Sequence, residues 1–387
     1  MELHIFLIAV GGLLLAGLVA DEVGRRTRLP RVTLLILFGV AVGPSGLNFL
    51  PEGHEQWYEF LASIALTMVA FLLGGTLSID KLRQHGKGIL LISASAVFIT
   101  ALLVSGGLML IGISSALALL LAGISTATDP AATRDVVRQV RARGPFTDTL
   151  LGIVAVDDAW GLIAFSLLLI AAQAITGNGG GHILGHSLWE LSGALVVGAG
   201  LGLPAAYLTG RLSPGEPMQS EALGLVFICA GLSIWLEVSF LLAGMVAGAI
   251  VVNLAKHHTR AFHEIEHIEW PFMVLFFLLA GASLHFESLT EIGFLGAAYI
   301  GLRCAGRILG GWFGGGAARS PAAHRRWIGL ALFPQAGVAL GMALVAGGHF
   351  PEQRDILLTV TIGTTVAFEL AGPLLTQIAL KKVGESE

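Results

Sequence analysis

The sequence has 387 residues, 55% of them hydrophobic and 12% charged, with a formal net charge of −4. Together with a mean hydropathy of +0.81, this balance excludes an ordinary soluble domain and describes a polytopic membrane protein. The slight negative charge offers no basic surface for nucleic acid. The two cysteines, Cys229 and Cys304, both lie in apolar runs and give no disulfide framework.

In chain order, apolar runs predict helices at about 3–20, 31–47, 57–79, 88–112, 115–137, 146–175, 187–210, 219–237, 239–255, 268–284, 291–315, 326–348 and 355–380. The eighth and ninth runs almost merge into one. The first run has no basic residue before it and Arg25, Arg26, Arg28 and Arg31 after it. That order predicts an uncleaved first helix with its N-terminus outside. Of the 22 lysines and arginines, nineteen fall in alternate loops, from the Arg25–Arg31 group through Lys81, Arg134, Arg211, Lys256 and Arg319 to Lys381 and Lys382. The opposite loops hold Arg354 alone, and Arg303 and Arg307 lie inside a run. This asymmetry predicts an all-α protein of thirteen transmembrane helices with a cytoplasmic C-terminus.

The two halves echo one another. LLILFGVAVG (34–43) and FLLAGMVAGA (240–249) align Gly39 with Gly244 and Gly43 with Gly248. AFLLGGTLSIDKL (70–82) echoes FFLLAGASLHFESL (276–289) at nearly the same offset. Equivalent helices are an odd number of crossings apart, so the repeats are inverted in the membrane. Inverted repeats characterise secondary transporters, whose sites lie near the midplane where helices break. Two breaks are predicted at matching positions. Pro130 in GISTATDPAAT removes a backbone donor and disfavours helical geometry at Asp129, with Thr126 and Thr128 beside it. Pro334 and Gly337 break LFPQAGVALG. An acid at such a break has two readings, compensation of half-helix dipoles or direct ion binding; the first is preferred for Asp129.

Asp157 and Asp158 stand in the middle of the uncharged run Thr149–Ile175. An ionisable group there costs a few kcal/mol and marks an ion or proton pathway unless it is paired. Neighbours on a helix point about 100° apart, so one aspartate is expected to face the pathway and the other a partner helix. Carboxylate oxygens suit a hard cation such as Na+ and also take up protons. A group that holds one or the other is an exchange device. Arg303 and Arg307 lie one turn apart on one helix face, and Glu369 lies in the middle of the last run. These three are expected to compensate charge or form ion pairs.

The motifs STATDP (125–130), VDDAWG (156–161), R-x-x-x-R-x-x-G (303–310), PFMVLFFLLAGASL (271–284), PQAGVAL (334–340) and FELAGP (368–373) together resemble the cation/proton antiporter superfamily, in particular bacterial Na+/H+ antiporters, over nearly the whole chain. The resemblance implies the inverted-repeat sodium/proton antiporter fold with two broken, crossing helices. It also implies a homodimer in the bacterial inner membrane, no cofactor, no structural metal, and a part in pH homeostasis. Helices over 57–175 and 268–380 are then the ion-translocating core, and those over 1–47 and 187–255 the scaffold and dimerisation set. Asp158 matches the family's essential cation and proton ligand, with Asp157, Thr128 and Asp129 completing the binding set. The family pairs the first aspartate with a lysine. Here Arg307 matches that position best, with Arg303 as the alternative. Paired aspartates usually accompany electrogenic exchange, but arginine does not release its proton, so one-for-one exchange is expected. No stretch of the chain matches the nucleotide-binding domain of potassium-efflux relatives, which sets Na+ or Li+ ahead of K+.

Two rivals come from other classes. His263, Glu264 and His267 spell H-E-x-x-H, the zinc-protease signature, yet the charge pattern puts it at a cytoplasmic helix entrance. A symporter or channel could share the inverted-repeat architecture. The same stretch gathers His257, His258, His263 and His267 beside Glu264, Glu266 and Glu269. It reads as a solvated loop or as a pH sensor.

Overall fold

The computed structural model describes residues 3–27, 31–44, 46–47, 49, 54–79, 86–176, 183–208, 218–255, 258–282, 293–335 and 337–386. Among them the regular elements are all helical. In chain order they are α1 (Leu3–Thr27), α2 (Arg31–Val42), α3 (His54–Thr76), α4 (Gly86–Leu110), α5 (Ser115–Ile124), α6 (Pro130–Gln139), α7 (Pro145–Ile175), α8 (Ile183–Leu208) and α9 (Met218–Trp235). There follow α10 (Phe240–Leu254), α11 (His258–Ala282), α12 (Gly293–Ala317), α13 (Ala322–Ala331), α14 (Gly337–His349) and α15 (Arg354–Lys382).

By length and composition, five helices among the described residues can cross a bilayer: Gly86–Leu110, Pro145–Ile175, Trp189–Leu208, Phe262–Ala282 and Pro351–Lys382. Other apolar helices are shorter, at 10–17 residues. Long and short helices alike carry exposed apolar residues, among them Leu7, Ile8, Leu15, Phe98, Leu102, Val196, Tyr207 and Phe294. Such a surface is stable against lipid and not against water.

Predicted and observed helix bounds differ for local reasons. The nearly merged eighth and ninth runs are separate helices. Glu237 takes a positive φ of 54°, and the Ser239 hydroxyl accepts from Leu242 N at 3.3 Å, capping α10. The tenth run was expected from residue 268, but α11 begins at His258, because its first turns are polar and invisible to hydropathy.

The chain divides into two units. The first comprises Met1–Gly17, Leu50–Leu82 and Gly177–Leu279; the second comprises Leu18–Phe49, Arg83–Thr176 and Ala280–Glu387. In the first, α3, α9, α10 and α11 share a core of Ile64, Met68, Phe71, Val226, Val251 and Ile265. In the second, α4, α7, α13 and α15 share Ile92, Ala96, Phe146, Ile153, Ile328 and Leu380. Residues 57–79, expected in the ion-translocating set, lie in the first unit, and residues 31–47, expected in the scaffold set, lie in the second. The cause is backbone approach between small residues. Gly74 and Gly248 lie where α3 and α10 touch, against Met245 and Phe71, whereas Gly43 of α2 meets Ala282 in the second unit.

Within the second unit, α12 lies on α4 with almost no space between backbones. A Cβ on Gly306, Gly310 or Gly314 would sit 2.6, 2.6 or 2.7 Å from the Cα of Thr100, Ala96 or Ile92. These glycines recur every fourth residue and form one stripe. The stripe fixes the depth of α12, and with it the two arginines that α12 carries.

Candidate functional site

The site grows from two helix interruptions. Between α5 and α6, residues 125–129 leave the helix, and α6 restarts at Pro130. Proline lacks the N–H that would continue the ladder, and it disfavours helical geometry in the residue before it. Between α13 and α14, residues 332–335 are likewise non-helical, with Pro334 in the middle and Gly337 opening α14. The interruptions meet through backbone, where Asp129 N donates to Pro334 O at 3.0 Å. Gln335 Nε2 donates to Ile124 O at 3.1 Å and lies 3.3 Å from the Tyr299 hydroxyl.

An interrupted helix leaves carbonyls at its C-terminal end without partners and with partial negative charge. Both arginines answer that need. Arg303 donates from Nε to Ser125 O at 3.0 Å, from Nη2 to Ala127 O at 2.8 Å and from Nη1 to Phe333 O at 2.9 Å. It therefore ties one interruption to the other, while its guanidinium lies 4.1 Å above the Phe368 ring. Arg307 donates from Nη2 to the Thr126 and Ala127 carbonyls and from Nη1 to Asp157 Oδ2 at 2.6 Å. Both side chains are 0% exposed.

The adjacent aspartates differ in surroundings. Asp157 is committed: Arg307 holds one oxygen, and Ser93 Oγ donates to the other at 2.9 Å. Among the described residues, Asp158 meets no cationic side chain. Its Oδ1 accepts from Thr128 N at 3.1 Å and from Thr128 Oγ1 at 3.0 Å. Its Oδ2 is buried and has no hydrogen-bond partner among the described residues. A bare carboxylate oxygen inside a protein is costly unless a proton or a cation meets it. The arrangement presents one such oxygen beside a threonine hydroxyl.

The remaining expected residues divide. Asp129 Oδ1 accepts from Ala132 N at 3.1 Å, in the first turn of α6, the position where a carboxylate offsets a helix dipole. Glu369, expected to compensate charge or form an ion pair, accepts among the described residues from the hydroxyl of Thr33 at 2.6 Å. His257 lies outside the described residues, and of His258 only the backbone is described. His263 and His267 belong to the first unit. Their rings are 6.4 Å apart, and His263 Nδ1 lies 3.3 Å from Glu266 on an exposed helix face.

Sequence reasoning assigned no role to Ser93, Gln335, Tyr299 or Thr33. Gln335 had a usable signal, being a lone amide in an apolar break. Ser93 and Thr33 had none, since a hydroxyl in an apolar helix commonly bonds the preceding turn instead.

The family model described as "Sodium/hydrogen exchanger, transmembrane" matches residues 10–382. The chain is 23% identical over 366 residues to the ammonium/H+ antiporter subunit AmhT of Alkalihalophilus pseudofirmus, covering 94% of this chain and 88% of that one. It is 24% identical to the K+/H+ antiporter subunit KhtU of Bacillus subtilis, covering 88% and 83%. Its fold matches the sodium proton antiporter MjNhaP1 of Methanocaldococcus jannaschii at a TM-score of 0.80, 21% identity and full coverage of both chains.

Proposed function

The chain belongs to the sodium/hydrogen exchanger family, a multi-pass cation/proton antiporter and not an enzyme, and we propose that it exchanges Na+ or Li+ for H+ at Asp158. One observation carries the assignment. Asp158 is buried, Thr128 fixes one of its oxygens, and the other faces no protein donor among the described residues. That oxygen takes either a proton or a hard cation, and the two exclude each other. Alternating exposure of this one group to the two sides of the membrane couples the fluxes. Asp157 does not share the work. Its charge is matched by Arg307 at 2.6 Å, and arginine does not give up its proton. A single carrier of single charge gives one-for-one exchange that moves no net charge. Thr128 and Asp129 shape the cation's surroundings, and Arg303 and Arg307 compensate the interrupted α5.

The same reading makes α5 with α6 one span and α13 with α14 another, so the helices form thirteen spans. The repeat pattern supports inversion: α2 touches the last turn of α11 through Gly43 and Gly281, and α10 touches α3 through Gly248 and Gly74. A pseudo-two-fold axis would produce this exchange of partners. On this reading the second unit translocates ions, and the first is scaffold and homodimer contact. The protein sits in the bacterial inner membrane with its N-terminus outside and its C-terminus in the cytoplasm, and it uses no cofactor. The H-E-x-x-H stretch is then part of a cytoplasmic helix turn.

A second reading concerns only the cargo. AmhT and KhtU are named for ammonium and K+, so either ion is the alternative. The test is dissipation of an imposed pH gradient in liposomes by Na+, Li+, K+ and NH4+ in turn. Na+ or Li+ is expected to be fastest, and Asp158→Asn to abolish exchange in a folded protein. Normal exchange by that variant contradicts the assignment; preference for K+ or NH4+ changes the cargo alone.

A further inference from the structure

The helix that carries both aspartates begins without a cap of its own. Gly144 precedes α7 and has no side chain, so the first amides of the helix have no local acceptor. The acceptor comes from far along the chain. Glu385, just beyond α15, accepts from Phe146 N at 2.9 Å with Oε1. Its Oε2 accepts from Thr147 N at 2.8 Å and from the Thr147 hydroxyl at 2.9 Å. Backbone completes the tie, with Arg143 N donating to Glu385 O at 3.1 Å. Gly144 has a φ of 146°, and a Cβ there would lie 2.4 Å from the Glu385 carboxyl carbon. The start of α7 is thus shaped to receive this carboxylate. The ring of His324, in the first turn of α13, stands edge-on to Phe146 at 5.3 Å.

We propose that Glu385 is a positioning residue for exchange: it pins the start of α7 to the end of α15 and so sets the depth at which Asp158 meets Thr128. The inference rests on Asp158 being the carrier. The carriers of the two partner groups are separate elements. Thr128 lies in the interruption before α6, whereas Asp158 is between three and four turns into α7. An axial slip of α7 would therefore lengthen the contact with Thr128. A longer contact with Thr128 loosens the fit of Asp158 around the cation, which weakens binding of that cation. The tie persists at working pH. Burial alone would raise the Glu385 carboxyl, but the donors from Phe146 and Thr147, with His324 nearby, hold it below the ordinary glutamate range. Glu385 stays ionised at neutral pH, so this is a fixed brace rather than a pH switch.

The test uses the full chain in liposomes and whichever of Na+, Li+, K+ and NH4+ the wild type exchanges fastest. Glu385→Gln keeps the side-chain shape but loses the charge and one acceptor. The expected result is a rise of roughly three- to tenfold in the KM for that cation, the range a lost helix cap allows. Maximal rate stays within about twofold, since no reacting group is touched. Glu385→Asp should fall between. Thr147→Ala cuts the same tie from the other side and should raise KM in the same direction, with the double variant no worse than Glu385→Gln alone. A wild-type KM in Glu385→Gln, or a lower melting temperature and rate with KM unmoved, overturns the inference. If Glu385→Gln fails to fold, Thr147→Ala decides: an unmoved KM overturns the inference. A wild type that exchanges none of the four cations instead contradicts the carrier assignment.

Discussion

At the scale of single residues, the two neighbouring aspartates have opposite surroundings because consecutive side chains on a helix point in different directions. One direction leads to Arg307 and Ser93, the other to Thr128. Two acids in an apolar run and two arginines one turn apart were legible in the sequence. The partners of Arg303 were not, because they are backbone carbonyls at Ser125, Ala127 and Phe333. Carbonyls leave no mark on a sequence, and their exposure follows from helix interruptions that only folding brings together. Asp129 supplies a prediction at this scale. It accepts from Ala132 N at the start of α6, so Asp129→Asn should lower stability by about 0.3–2 kcal/mol, the span of helix-dipole effects. Thermal melting of the purified variant, with cation KM measured in parallel, checks this. A melting temperature equal to wild type with a raised KM would make Asp129 a ligand instead.

At the scale of helices, Pro130 and Pro334 stand at or beside the non-helical residues 125–129 and 332–335, and the alternation of basic loops suggested how many spans to seek. The division into units was not legible, because it depends on which glycine stripes meet which backbones. Gly43 and Gly248 look alike in sequence, yet Gly43 meets Ala282 and Gly248 meets Phe71. Such contacts have no apolar periodicity to reveal them, since in lipid every face is apolar. The α4–α12 stripe gives the sharpest prediction. A methyl at residue 310 would stand 2.6 Å from the Ala96 Cα, and backbone cannot yield as a side chain does. Gly310→Ala should cost about 1–3 kcal/mol, the usual scale of overpacking, read as a lower melting temperature. It should slow exchange as well, because Arg307 rides on the same helix. An unchanged melting temperature would mean that the helices are farther apart than described.

At the scale of the whole molecule, the proposed exchange rests on a single exchangeable charge at Asp158. Charges inside a membrane are expensive, and here most are neutralised by fixed partners. Asp157 is held by Arg307, the α5 carbonyls by Arg303 and Arg307, and Glu369 is bonded to Thr33. Of the two central aspartates, Asp158 has no cationic partner among the described residues, which is why it is the proposed carrier. The central claim is therefore a competition between one proton and one cation at one carboxylate. The most direct measurement is the proton released into weakly buffered solution when the cation is added to purified protein, with cation binding followed in the same sample. The account predicts release of about one proton per cation bound near neutral pH, falling to none in Asp158→Asn. Release of two protons per cation, cation binding without release, or undiminished release by Asp158→Asn would contradict it.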